Sequence, residues 1–309
     1  MRHSAHQKIL AEHANGGVSA GKILLYILAI LFLGMVILNF LSGFGIGGCV
    51  GVLELNGEIS TLSGYGYVSS SELIGLLKSA EERPDIRSLV LVVNSPGGSA
   101  VASNEIYNFL KQMKKPVVVY MGDIAASGGY YISLGGDYIY ANPSTVTGSI
   151  GARMGSIFDI SRLLNNSGIN TTIVKSGDMK DIGDLYRPVT EEEQEVLQSM
   201  IDEIASDFLN ITIAERQGSE RFTSDSVEII SDARILTGKQ AYSLGLVDAL
   251  GTRQDAIDAA AAMAGLEPDP DTCSLEFSKD FFSSMFSEMG RGIGETLANK
   301  ISLNNFKIE

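Results

Sequence analysis

Histidine is nearly absent: the 309 residues hold three, His3, His6 and His13, all close to the N-terminus. Cysteine is scarcer, with Cys49 and Cys273 alone. Neither belongs to a CxxC and their spacing fits no metal-ligand pattern. This argues against a structural zinc or iron–sulfur site and equally against a disulfide framework. Basic residues are in deficit, 23 Lys and Arg against 37 Asp and Glu, for a formal charge of -14. With no Lys/Arg block anywhere, nucleic acid is a poor partner. No internal repeat of about 20–50 residues is visible, which sets aside repeat architectures.

What is present begins with Ile23–Leu41, "ILLYILAILFLGMVILNFL", 19 residues without a charge. A helix of that length crosses about 30 Å of hydrocarbon, and the run exceeds the apolar stretch of about 7–15 residues in a cleaved secretory signal. A retained transmembrane helix over 23–41 is expected. "IGGC" at Ile46–Cys49 loosely resembles a lipoprotein cleavage box, but lies far from the N-terminus for one. Arg2, Lys8 and Lys22 against Glu12 give residues 1–22 a net +2, leaving -16 for the remainder. The positive-inside rule puts that tail in the cytoplasm and the bulk of the chain outside.

Beyond the anchor, short apolar runs alternate with helical patterns. Strands are expected at Val50–Leu55, Ser88–Val93, Pro116–Met121, Tyr138–Tyr140 and Thr171–Val174. Helices are expected at Ser70–Glu82 and Ala102–Lys114, from Thr190 to about Arg216, and within 237–249 and 252–264. Thr190 with Glu193 three residues on is a capping box. The alternation predicts an α/β domain with largely parallel strands and its site at strand C-termini. Past "PDPD" at Pro268–Asp271 the composition shifts, and residues 267–309, including "FFSSMF", read as a peripheral tail.

"AASGGY", Ala125–Tyr130, strips bulk from around one hydroxyl, that of Ser127. A serine nucleophile needs a base, most often histidine. With every histidine ahead of the anchor, a bilayer separates them from Ser127, so a Ser-His-Asp triad is excluded by topology. Lysine can serve once desolvation lowers its pKa. "KSGDMKD" offers Lys175 and Lys180, and local pattern does not choose between them. "NSPGGS", Asn94–Ser99, follows a buried strand; it is either a plain turn or a glycine loop whose N–H groups face an oxyanion. Gly128 would supply the partner N–H if Ser127 opens a helix. Asp123 reads as a structural cap and Tyr130 and Tyr131 as packing. Asn165, Asn170 and Asn210 begin N-x-[ST] triplets, weak glycan signals.

"LVLVVNSPGGSA", "GDIAASGGYYIS", "TVTGSIGA", "KSGDMKD" and "DARILTGKQAYSLGLVD" occur in that order. Over residues 50–265 the chain resembles the signal peptide peptidase A family of membrane-anchored Ser–Lys peptidases. The resemblance implies a Clp/crotonase-like fold of repeated β-β-α units behind a single N-terminal transmembrane helix. It implies domains at 1–22 (cytoplasmic tail), 23–41 (anchor), 50–266 (peptidase) and 267–309 (tail). It implies Ser127 as nucleophile, Lys180 as base, Ser149 as the residue orienting that lysine, and Gly98 beside Gly128 in the oxyanion hole. Hydrophobic peptides such as released signal peptides are the implied substrates of an endopeptidase. A homo-oligomeric ring is implied, and no metal or cofactor. Three rivals stand beside this reading: a Ser–Lys protease cutting membrane-scaffold proteins, an acyl-CoA enzyme of the crotonase fold, and a non-catalytic scaffold.

Overall fold

The computed structural model describes residues 20–43, 48–64 and 66–276, with side chains at 21 and 23–35 only within the first stretch. His3, His6, His13 and "FFSSMF" lie outside the described residues. Two compact units form, Met1–Gly48 and Cys49–Glu309.

In the first unit, α1 (Ala20–Gly43) is a 24-residue helix. The described apolar side chains over 23–35 are exposed, a stretch of roughly 20 Å at helical rise. Among the described residues no helix is long and apolar enough to cross a membrane. The expected span over 23–41 continues into side chains outside that set.

The second unit is built on a parallel sheet. Its path begins with β1 (Cys49–Asn56), β4 (Ile86–Ser95), β5 (Val117–Ala126), β6 (Tyr138–Ala141) and β9 (Ala249–Leu250). β10 (Thr272–Leu275) pairs with the outer side of β1. β7 (Val146–Gly148) extends the C-terminal half of β5 and pairs antiparallel with β8 (Ile235–Thr237). A separate parallel pair joins β2 (Glu58–Ser60) to β3 (Tyr67–Ser69).

The strands read as unbroken Val/Leu/Ile runs because both faces are covered, as parallel sheets require. One face, with Leu89, Leu91 and Val93, packs on α2 (Ser70–Glu82) and α3 (Ala100–Leu110) through Leu73, Leu77 and Ile106. The other, with Val90, Val92 and Val118, receives Ala256, Ile257, Ala260 and Ala261 of α9 (Arg253–Met263). Among the described residues there are five further α-helices: α4 (Gly128–Ser133), α5 (Ser161–Asn166), α6 (Glu191–Arg216), α7 (Ser224–Ile230) and α8 (Gly238–Ser243). The capping box at Thr190 and Glu193 forms as expected.

Three expectations are corrected. Thr171–Val174 is not a strand, and Val174 is 96% exposed. Its β-branched residues have no partner strand among the described residues, and β-propensity acts only through one. The sheet does not stop at residue 266, since β10 lies in the stretch read as a peripheral tail. Cys49 and Cys273 form a disulfide, with Cα atoms 5.8 Å apart across a sequence separation of 224. Register explains it: β10 returns beside β1 with Gly51 opposite Cys273. That pairing invests the Cys49 sulfur in a cross-link, which removes it as a lipid acceptor.

Candidate active site

Ser127 stands where β5 ends and α4 begins, with φ 51° and ψ -121°. A non-glycine residue at such a φ is uncommon, and is costly unless its surroundings impose it. Here they do. The Ser127 N–H donates to the Gly148 carbonyl at 2.9 Å and the Ser127 carbonyl accepts from Tyr131 N–H at 2.9 Å. The half-buried hydroxyl therefore projects from a corner fixed at both ends.

Ser149 is its neighbour by register. β5 and β7 pair Ala125 with Thr147 and Ala126 with Gly148, so the two serines follow adjacent strand ends. Strands in a sheet lie about 4.8 Å apart. Ser149 also has positive φ, 54°, and its N–H donates to the Arg234 carbonyl at 2.8 Å.

The glycine loop closes the other side. A Cβ placed on Gly97 would lie 2.8 Å from Ser127 Cβ and 2.7 Å from Gly128 N, and one on Gly128 would lie 3.3 Å from Gly98 N. Only glycine allows that approach. Gly98, at φ +150°, bridges Ile59 in parallel fashion, and the bonds are made by its neighbours: Ile59 N–H to Gly97 O and Ser99 N–H to Ile59 O, both 2.8 Å. In a parallel ladder this leaves the bridged residue's own N–H pointing away. Gly128 is the first residue of α4, whose leading N–H groups lack intrahelical acceptors. The buried Ser95 hydroxyl accepts Gly97 N–H at 3.1 Å, and Ser103 Oγ donates to Ser99 O at 2.9 Å. Sequence reasoning missed both supports, although Ser95 lies inside the quoted loop.

Tyr130 and Tyr131 pack as expected. Tyr130 is fully buried, with its hydroxyl donating to Leu246 O at 2.9 Å, and burial pushes that hydroxyl's pKa up. Tyr131 lies 4.9 Å from the Phe208 ring. Asp123 is not a cap; it is an exposed β5 residue whose backbone N–H donates to Asn94 Oδ1.

The two candidate lysines differ. Lys175 Nζ pairs with Asp181 at 2.7 Å and donates to Asp178 O at 2.8 Å. Lys180, on the 3-10 turn Asp178–Asp181, is exposed and makes no ion pair among the described residues. It borders an open cleft with Ser176, Gly177 and Glu192. Ser127, Ser149, Gly98 and Gly128 are thus gathered at one strand-end corner, and Lys180 bonds to none of them.

Comparisons with known proteins give the family. The sequence model "Peptidase family S49" matches residues 109–267, just over half of the chain, and "Clp protease" matches residues 56–147. The chain is 43% identical to "Putative protease slr0021" of Synechocystis over 69% of its length and 76% of the relative's. It is 38% identical to "Putative protease MJ0651" of Methanocaldococcus jannaschii over 75% of both. To "Putative signal peptide peptidase SppA" of Enterococcus faecium it is 33% identical over 79% of this chain and 70% of the relative. The chain belongs to peptidase family S49, a serine-type protease related to signal peptide peptidase A.

Proposed function

We propose that this protease cleaves peptide bonds through a Ser127–Lys180 dyad. Ser127 Oγ attacks the scissile carbonyl while Lys180 Nζ takes its proton. The lysine then returns that proton to the leaving amine, and the acyl-enzyme on Ser127 is hydrolysed by water deprotonated by the same lysine. The Gly98 and Gly128 N–H groups hold the oxyanion, and Ser149 orients the lysine. The observation that carries this reading is the Ser127 corner itself, at positive φ and beside two glycine N–H groups. An acyl-CoA enzyme would need the oxyanion donors but not a serine forced into that corner.

The lysine assignment is supported by elimination, since Lys175 is held by Asp181 and Asp178. Lys180 must still be brought to Ser127, by closure of its own segment or by a second copy. The many exposed apolar side chains between 154 and 185, such as Phe158, Leu163 and Ile173, favour assembly into the homo-oligomer that the family resemblance implies.

In this proposal α1 anchors the protein with its N-terminus cytoplasmic and the protease outside, where hydrophobic peptides such as released signal peptides arrive. The Cys49–Cys273 disulfide supports that side, because such bonds persist in oxidising compartments. A serine-reactive acylating probe tests the chemistry. It should label wild type and not Ser127→Ala, and labelling should depend on Lys180. Ser127→Ala should keep its fold and assembly, and wild-type turnover by that variant would falsify the mechanism.

A further inference from the structure

Residues 171–190 contain one short 3-10 turn and little else that is regular, and almost none of their side chains reaches the core. Charge holds the segment in shape. Arg187 grips Asp181 with two parallel bonds, Nε to Oδ2 at 2.9 Å and Nη2 to Oδ1 at 2.6 Å, and reaches the Asp181 carbonyl at 3.2 Å. Its other edge grips Glu193, Nη1 to Oε2 at 2.8 Å and Nη2 to Oε1. Glu193 is the buried member of the α6 capping box and also accepts Thr190 N–H at 2.9 Å. Lys175 Nζ shares the Asp181 Oδ1 with that guanidinium, at 2.7 Å. One guanidinium therefore joins the turn to the first turn of a 26-residue helix.

Asp181 directly follows Lys180. A free carboxylate there would favour the ammonium form of its neighbour, the wrong form for a base. Arg187 and Lys175 occupy that carboxylate, and Lys180 is left without an ion pair among the described residues.

We propose that Arg187 is the positioning residue of the base, pinning the turn that carries Lys180 to the start of α6 and withdrawing the Asp181 carboxylate from that lysine. The inference rests on Lys180 being the base. Asp178 and Glu192 line the same cleft as Lys180, and the neighbouring Asp181 is joined to Lys175, Arg187 and, through Arg187, Glu193 of α6.

The test uses the full chain in detergent and a chromogenic peptide substrate, with pH–rate profiles for wild type, Lys180→Ala, Arg187→Gln, Asp181→Asn and Arg187→Gln/Asp181→Asn. In Arg187→Gln the activating limb should move up by about one pH unit, the effect of one nearby carboxylate. At fixed pH below the limb this lowers kcat about tenfold, with KM within about twofold. Removing the carboxylate in the double variant should bring the limb back. A merely structural Arg187 would slow the enzyme without moving the limb, and the second substitution would not restore it; that result overturns the proposal. So does an Arg187→Gln enzyme with wild-type rate and profile while Lys180→Ala is dead. If Lys180→Ala stays active, the base assignment itself has failed, a separate outcome. Should Arg187→Gln not fold, Asp181→Asn decides alone: a limb that stays at the wild-type pH supports the proposal, because a withdrawn carboxylate was not acting on the lysine, and a downward move of about one unit overturns it.

Discussion

Two regions carry the candidate chemistry, and they are held in opposite ways. The Ser127 corner is fixed by strand register and by glycine backbones packed closer than any Cβ allows. It contains no ionisable side chain. The Lys180 segment has scarcely any packing and is fixed by four charged groups, Lys175, Asp181, Arg187 and Glu193, the last also capping the start of α6. Steric fixation is rigid and indifferent to pH, whereas ionic fixation can release and re-form. In the proposed mechanism the nucleophile and oxyanion donors are therefore in place before substrate arrives, and the base is the part that must be delivered.

The largest expected effect tests delivery. Lys180→Ala should lower kcat by several orders of magnitude, about 10³ or more, since a nucleophile without its base retains only what binding and the oxyanion hole supply. Lys175→Ala should cost far less, because its ammonium serves Asp181 and not Ser127. Ser149→Ala should fall between them. If Lys175→Ala is the dead variant and Lys180→Ala is active, the assignments of the two lysines are reversed.

Matched glycine substitutions sharpen the contrast next. A Cβ on Gly98 would meet Ile59 O at 2.1 Å, at φ +150°, against backbone that cannot rotate away. Gly98→Ala should lower kcat by about 10²–10³, the usual cost of losing one oxyanion donor. A Cβ on Gly177 meets nothing within 4 Å, so Gly177→Ala should stay within about twofold. Equal effects of the two would abolish the distinction between a packed corner and an open segment.

A smaller effect on activity, though not on stability, comes from the cross-link. Cys49→Ser/Cys273→Ser should lose about 2–5 kcal/mol in denaturant unfolding by removing a long-range loop constraint. Initial rates at ambient temperature should hardly change, because β10 is at the sheet edge opposite β6 and β9. A large loss of rate in well-folded protein would show that the edge strand communicates with the corner.

How much of this was legible in the sequence follows the same division. Strands β1, β4, β5 and β6 and the helix Ser70–Glu82 were readable because buried Val/Leu/Ile runs and apolar spacing report burial directly, whereas β7 to β10, of two to four residues each, are too short to carry such a pattern. The small residues around Ser127 were readable because close approach demands them. The disulfide was not, since it depends on a strand returning across 224 residues. Nor was the Arg187 brace. Glu193 was recognised as a helix cap, but nothing in the order of residues says that its second oxygen meets an arginine six positions earlier. Thr171–Val174 failed for the complementary reason: its side chains suit a strand, but no neighbour among the described residues receives it.

The smallest effect expected is also the most selective between the two regions, and it follows from the sign of the carboxylate shifts. Hydrogen bonds from Arg187, and then from Lys175, hold Asp181 well below the usual carboxylate range. Hydrogen bonds from Arg187, then from Thr190 N–H, lower Glu193 to about 2. Unfolded carboxylates titrate near about 4. A folded pKa below the unfolded one gives stability that is present above the unfolded value and lost as pH falls through the folded one. The brace should thus be intact at pH 5 and weaken progressively between about 4 and about 2. Amide exchange measured down that series should show residues 176–190 losing protection first, while Ala125–Gly129 and the β4 and β5 strands keep theirs until global unfolding. Parallel loss in both regions would mean that the segment is held by something other than its charges. Loss beginning above pH 5 would point to a group of higher pKa than either carboxylate, and the ionic account of the Lys180 segment would have to be given up.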